Sequence, residues 1–266
     1  MVEGFELREL TAADVDAAVA LATAQGWRDR RRFYDLVLRT STCQALAGVL
    51  GGRLIATGLA TSNGPVGWLG AIVVAAEFRR RGIGRAMTEE LCRRLRAAGC
   101  RTLSLEATEA GRPMYEKMGF RLATHYHQLQ ADHLSERPVE PEGAHARRLA
   151  SADLPGIFEL DRLATAEDRA VPLRMLADSS GGWVLERGHS LAGFLLPAER
   201  AYGAIVAPAF DDGLFLLDLH RWIVPEGAHV RAGIPDEHGA AWRELRARGW
   251  QETWQAPRLL LGPAPE

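Results

Sequence analysis

The stretch from Trp68 to Leu95 leaves the chain few ways to fold. Trp68–Val74 is almost wholly apolar, the composition of a strand covered on both faces. The span Gly84–Ala98 reads as an amphipathic helix, with Ile83, Met87, Leu91 and Leu95 forming an apolar stripe at steps of four. Between the two lies Glu77-Phe-Arg79-Arg-Arg-Gly82-Ile-Gly84-Arg, a basic turn spaced by glycines. A central strand must therefore enter a polar turn and leave it as a helix that packs back on the sheet. That requirement selects an α/β fold.

The flanking sequence supplies the rest of such a sheet. Phe5–Leu10 alternates as a strand, and Thr11 with Asp14 predicts the capped start of a helix running to Thr23. Gln44–Leu50 and Arg53–Thr61 flank Gly51-Gly52, a two-residue hairpin signal. Arg101–Ala107 reads as the next strand and Pro113–Met118 as a short helix with proline in its first turn. Phe120–Leu129 reads as the strand that closes the sheet.

A chain of 266 residues is long enough for two such bodies, and a weak internal repeat suggests them. Arg8-Glu-Leu-Thr-Ala-Ala-Asp14 resembles Arg147-Arg-Leu-Ala-Ser-Ala-Asp153, and each half ends in a helical stretch, a glycine-aromatic pair and a strand, at Gly119-Phe120 and at Gly249-Trp250. The proline-bearing segment 135–143 reads as a linker between residues 1–134, at +4, and residues 144–266. The predicted architecture is two tandem α/β lobes, each a mixed, mostly antiparallel sheet flanked by helices. Gly182–Glu186 and Ser190–Leu196 form a second hairpin, and Gly203–Val206 is a short strand. Where the first half has its arginine turn, the second has Pro208-Ala-Phe-Asp211-Asp212-Gly, which would repel an anion. The charge-dense segment Leu160–Arg169 reads as a solvated helix end, with a groove lining as the alternative.

Glycines at 82 and 84 permit positive φ and keep side chains out of the path of a close ligand. Unpaired amides at the start of the helix then face outward at partial positive potential, a site for phosphate or pyrophosphate. The dipole supplies only about 0.3–1 kcal/mol, so charge-assisted bonds from amides and arginines must do most of the holding. No Gly-Lys-Ser/Thr follows, which excludes a Walker loop, and Met87 stands where the dinucleotide fingerprint needs glycine. On these residues alone, a solvated arginine turn remains the other reading.

The run Arg79-x-x-Gly82-x-Gly84 after an apolar strand, followed by Tyr115-Glu-Lys-Met-Gly-Phe120, resembles the GNAT superfamily of acyl-CoA-dependent N-acetyltransferases. The similarity covers residues 5 to about 130, and Leu105-Glu-Ala-Thr-x-x-Gly111-x-Pro-x-Tyr115 looks most like tandem GNAT proteins with a divergent second lobe. The resemblance implies that Arg79, Arg80, Arg81, Gly82, Ile83, Gly84 and Arg85 cradle the coenzyme A pyrophosphate. It further implies that Ile72, Val73 and Val74 offer backbone bonds to the pantetheine and polarise the acyl carbonyl. Thr108 stands where many GNAT domains place a cofactor-contacting Asn; its hydroxyl reaches less far.

The chemistry asks for two proton transfers. A thiolate leaving coenzyme A, with a reference thiol pKa near ~8.5, needs an acid, and Tyr115 is the candidate, with ring packing as its alternative role. An alkylamine of pKa ~10.4 must lose a proton at a cost of ~4.6 kcal/mol at pH 7, so a base is expected. Glu106 is the candidate, its side chain opposite Leu103, Leu105 and Ala107, although on the residues alone a solvated strand carboxylate is the favoured reading. His125 and His127 could serve instead or be surface, and Glu77 reads as solvated. Trp27, after the first helix, and His125 are candidates for lining the acceptor site.

Net charge is −2, which gives no reason to expect a nucleic-acid or acidic-membrane partner. The longest charge-free apolar stretch, Pro65–Ala76, is far too short to span a bilayer. Cys43, Cys92 and Cys100 are odd in number and lack CxxC spacing, so reduced thiols in the cytoplasm are expected, and no metal site. The N-terminus has no apolar signal-peptide core. The sequence therefore predicts transfer of acetyl from acetyl-CoA to a small-molecule or peptide amine by direct attack, with one coenzyme per chain. A non-catalytic acyl-CoA sensor is the alternative.

Overall fold

Thr11 and Asp14 cap as their spacing predicts. The Thr11 amide and hydroxyl each donate to Asp14 Oδ2 at 2.8 Å, and Arg8 holds both oxygens of that carboxylate at 2.7 Å. The Arg8 bonds come first among the forces that hold the Asp14 carboxyl far below the usual range. The second half repeats the device: Arg147 grips Asp153 at 2.8 Å from both nitrogens, and the Ala150 amide donates to it at 2.7 Å. A repeat that is faint in sequence thus encodes one structural job, turning a first strand into a first helix.

The computed structural model of the chain describes residues 2–27, 30–198 and 203–265. Its first compact unit comprises Met1–Arg121 with Leu259–Glu266, its second Leu122–Arg258. In the first unit the elements are β1 (Phe5–Glu9), α1 (Val15–Ala24), α2 (Arg31–Arg39), β2 (Cys43–Leu50), β3 (Arg53–Asn63), β4 (Val66–Val74), α3 (Ile83–Ala97), β5 (Thr102–Glu106) and α4 (Arg112–Lys117). The strands lie in the order β1-β2-β3-β4-β5, antiparallel except for the parallel β4–β5 pair. Gly51 and Gly52, at φ 57° and 78°, make the β2–β3 turn in the left-handed region that a two-residue hairpin requires.

Helix α3 fills one face of this sheet. Ile83, Met87, Leu91 and Leu95 are at most 2% exposed, as their spacing predicts. The helix comes close because β3 and β4 carry glycines beneath it: a Cβ at Gly58 would lie 2.6 Å from Met87 Cγ, and one at Gly67 2.8 Å from Leu95 Cδ1. Burying four such side chains contributes roughly 1.5–3 kcal/mol each, enough to seat the helix and therefore the turn before it.

The second unit contains β6 (Arg121–Asp132), β7 (Ala144–Arg148), α5 (Leu154–Thr165), α6 (Ala170–Ser180), β8 (Trp183–Arg187), β9 (Ser190–Leu196), β10 (Ala204–Val206), α7 (Phe210–Ile223), β11 (His229–Pro235), α8 (Gly239–Ala247) and β12 (Gln251–Leu261). Four strands form a sheet in the order β10-β9-β8-β7, and β6 lies between β11 and β12. Asp211 and Asp212 open α7, where Asp212 is 1% exposed and held by Arg187 at 2.7 and 3.1 Å.

Three features differ from the sequence expectations. The proline-bearing segment 135–143 lies inside the second unit, whose borders with the first fall at Arg121/Leu122 and Leu259. The reason is the second difference: β6 does not close the first sheet. It pairs antiparallel with β11 from Tyr126–Pro235 to Asp132–His229 and buries Leu129 and Ala131 in that core. The place beside β5 goes to the end of β12, where Leu259 enters the first core and Thr102 Oγ1 donates to Pro263 O at 2.7 Å. Third, Leu160–Arg169 is only partly a solvated helix end: Arg162, Leu163, Ala164 and Asp168 are exposed, but Asp161 and Glu167 are buried. Asp161 is 1% exposed and bound by both arms of Arg169, with Nε at 2.9 Å, because a carboxylate facing the core needs a charged partner there.

Candidate functional site

Strand β4 is the spine of the site, and two irregularities shape it. Its ladder with β5 covers only Val66–Trp68 against Thr102–Ser104, although β4 continues to Val74. The two strands part beyond that point, leaving the far half of β4 with a backbone edge that no strand covers. On the other side Leu59 faces Gly70 while Thr57 faces Val73, so Gly58 opposes two residues, a bulge. Ala71 sits in it at φ 48°, a strained conformation for a residue with a side chain. Thr57 Oγ1 donates to Ala71 O at 3.3 Å and lies 3.4 Å from the Tyr34 hydroxyl, both side chains fully buried. A side chain of α2 thus pins the bulge, a link the sequence reading missed because no local pattern announces it.

The turn after β4 is built as a cup of amides. One 3-10 turn, Ala76–Phe78, follows Ala75, and then Arg80 and Gly82 take φ 59° and 82° on either side of Arg81. Alternation of this kind points successive N–H groups into one concavity. The first helical bond of α3 is Ala86 N–H to Gly82 O at 2.9 Å. Among the described residues, the amides of Arg80, Arg81, Gly82, Ile83, Gly84 and Arg85 donate to no protein acceptor. Such groups at a helix start are satisfied by water or by an anion. The sequence-predicted residues Arg79–Arg85 are thereby brought together.

The arginines divide. Arg79 Nε donates to Val74 O at 3.1 Å and the same side chain bonds Gln25, so it ties β4 to the end of α1. Arg81 lies over the Phe78 ring at 5.5 Å, and Arg85 pairs with Glu89 at 2.7 Å. Glu77 pairs with Arg53 at 2.8 Å on the surface, as expected of a solvated carboxylate. An added Cβ at Gly84 would meet Met114 Sδ at 3.6 Å and Val74 Cγ2 at 3.7 Å. Start of α3, end of β4 and helix α4 therefore converge on one spot, with Ile72 and Val74 packed on the core beside Val73.

Tyr115 is the buried member of α4, 8% exposed, its ring edge-on to Phe120 at 5.9 Å. The ring packs, and burial, with the nearby Cys92, pushes the phenol up to about 12. Cys92 on α3 is pushed up to about 11 by burial. Thr108 accepts the Gly111 amide at 3.2 Å, starting α4, and its own O–H stays available to donate. Glu106 lies exposed at the end of β5. Trp27 packs partly buried on the core of the first unit.

His125 belongs to the second unit. Its Nδ1 lies 3.1 Å from Asp236 Oδ2, while His127 Nε2 lies 2.6 Å from Oδ1 of the same carboxylate and its ring stacks on Trp242. Among the described residues, no cluster of three or more His, Cys, Asp or Glu side chains could hold a metal ion, and no helix is long and apolar enough to cross a membrane.

Comparison with known proteins returns the same region. The family model described as Acetyltransferase (GNAT) family matches residues 9–120. A glucosamine 6-phosphate N-acetyltransferase of Trypanosoma brucei brucei is 30% identical over 128 residues, 47% of this chain and 84% of that one. Among solved structures, a proposed acetyltransferase of Pyrococcus horikoshii covers 100% of this chain and 92% of its own, at a TM-score of 0.80 and 19% identity. A tandem GNAT protein from the clavulanic acid biosynthesis pathway covers 98% and 99%, at a TM-score of 0.71 and 18% identity. At those identities the two structures speak to the fold.

Proposed function

Because this chain belongs to the GNAT acetyltransferase family, we propose that it moves an acetyl group from acetyl-CoA to a primary amine of a small molecule or protein, by direct attack in a ternary complex. The observation that carries the reading is the cup of free amides from Arg80 to Arg85 beside the uncovered edge of β4. A diphosphate fits the cup, since it offers acceptors to several donors that otherwise have only water. An extended chain of amides such as pantetheine fits the edge, because it supplies the strand partner that β5 withholds. The acyl donor binds through Ile72, Val73, Val74 and Arg79–Arg85, with the Thr108 hydroxyl as a further donor, and brings the activated thioester.

Tyr115 is the acid. At neutral pH its phenol is fully protonated, with burial pushing it up to about 12. The thiolate expelled from coenzyme A, with a reference pKa near ~8.5, takes the proton that the phenol supplies as the bond to the acyl carbon breaks. Glu106, exposed at the end of β5, is the candidate base for the incoming ammonium, directly or through water, while Trp27 is a candidate for lining the acceptor.

The start of α7 in the second unit carries Asp211 and the Arg187-paired Asp212 where the first unit has its arginine turn, which supports one coenzyme per chain, and the free thiols of Cys43, Cys92 and Cys100 suit a reducing compartment such as the cytoplasm. The test is calorimetric titration with coenzyme A, then thiol release from acetyl-CoA across an amine panel. Binding and release together support transfer. Tight binding with no release from any amine establishes a sensor instead, and no binding removes the assignment of the cup.

A further inference from the structure

We propose that Arg30 reads an anionic group, a carboxylate or a phosphate, on the acceptor amine. The inference rests on the transfer reading above and names its substrate class. The Arg30 guanidinium carbon lies over the Trp27 ring at 4.4 Å and over the Phe33 ring at 5.4 Å. The side chain is half-buried, and burial pulls its guanidinium down, with only the Tyr34 hydroxyl acting against this. A surface arginine ordinarily keeps its head in water or shares it with a carboxylate. The next residue, Arg31, pairs with Asp16. Among the described residues, Arg30 has no acidic partner.

Its position gives that exposed charge a purpose. The Tyr34 amide donates to Arg30 O at 3.0 Å, and the Tyr34 hydroxyl reaches Thr57, which holds the bulge carbonyl of Ala71. Arg30 is therefore one helical turn from Tyr34, whose side chain runs from α2 to the bulge where the free edge of β4 begins. From the other direction, the Trp27 amide donates to Ala22 O at 3.1 Å, and Gln25 bonds Arg79 at the mouth of the cup. Both routes tie the elements on either side of Arg30, the end of α1 and the start of α2, to β4 and the turn after it. Arg30 stands at the start of α2, which has no acidic residue in its first turn, so the positive end of the helix adds to the potential there. A guanidinium stacked between two aromatics keeps its planar edge free for two parallel bonds to a carboxylate or phosphate. An arriving anion would recover the interactions with water that burial removed.

The experiment compares matched amines that differ in one charge: glucosamine 6-phosphate against glucosamine, and glycine against glycinamide. Thiol release and calorimetry on coenzyme-saturated protein are run for the native chain, Arg30→Gln and Arg30→Lys. The native chain should favour an anionic member over its neutral twin by about tenfold or more, the usual effect of a charged hydrogen bond. Arg30→Gln should erase most of that ratio through KM rather than kcat, and Arg30→Lys should retain part of it. Acetyl-CoA affinity and thermal midpoint, followed in parallel, report folding. Which pair shows the ratio identifies the anion. Equal handling of charged and neutral twins, or a ratio that Arg30→Gln leaves intact, overturns the proposal while transfer stands. Thiol release from no amine overturns transfer, and the binding arm then still judges Arg30.

Discussion

Gly82→Ala separates the conformational cost of the cup from its use. Gly82 holds φ 82° just before α3, and an added Cβ would meet nothing within 4 Å. The substitution therefore adds no clash, and its only direct penalty is left-handed backbone strain, about 1–2 kcal/mol. At about 2–4 °C per kcal/mol for a protein of this size, the thermal midpoint should fall by roughly 2–8 °C. Relief of that strain rotates the peptide planes on which the Ile83 and Gly84 amides depend. Losing one charge-assisted bond to a diphosphate costs about 1.5–3 kcal/mol, so coenzyme A affinity should drop about 10- to 150-fold. The control is Gly99→Ala at the other end of α3, with φ 92° and likewise nothing within 4 Å of its Cβ. It carries the same strain but lies some 20 Å or more from the cup along a helix rising 1.5 Å per residue. Calorimetry and thermal melts on both variants decide the matter. If Gly82→Ala loses stability as Gly99→Ala does and binds coenzyme A as the native chain does, the cup is not the diphosphate site.

Three further outcomes are expected. Tyr115→Phe should lower kcat about 100-fold or more without changing coenzyme A affinity, and steady-state kinetics with calorimetry would refute the acid role if kcat held. Arg169→Leu leaves Asp161, 1% exposed, without its partner, and should cost about 3–5 kcal/mol in denaturant melts; a loss below about 1 kcal/mol would mean that the pair is dispensable. His127 is opposed by burial, but its bonds to Asp236 and Glu252 outweigh that and raise its pKa. Its contribution to stability is full below the unfolded value near ~6.5 and is lost as pH rises through the raised folded value. His127→Gln should flatten that part of a melting-versus-pH curve, and an unchanged curve would assign the dependence elsewhere.

Local chemistry carried much of the site into plain view. Arg79–Arg85 could be read as a cup because glycine spacing, a preceding apolar strand and a following amphipathic stripe are all contiguous. Tyr115 could be singled out, but its raised phenol could not, since that follows from burial beside Cys92 on a different helix. Arg30 stayed hidden among neighbouring arginines. Only the rings that close over it distinguish it from Arg31 and Arg32.

The sequence by itself determined the strand-turn-helix at residues 68–97, the two Arg–Asp caps and the glycine hairpins, because each depends on residues within a few positions of one another. Tertiary structure alone decided which strand closes which sheet. Gly119-Phe120 and Gly249-Trp250 introduce strands of the same pattern, and nothing local tells β6 to join β11 or the end of β12 to lie beside β5. The parting of β4 from β5 and the burial of Asp161 against Arg169 were settled in the same way. Pairing and burial are set by partners distant in sequence, so their energies exist only once the chain has brought those partners together.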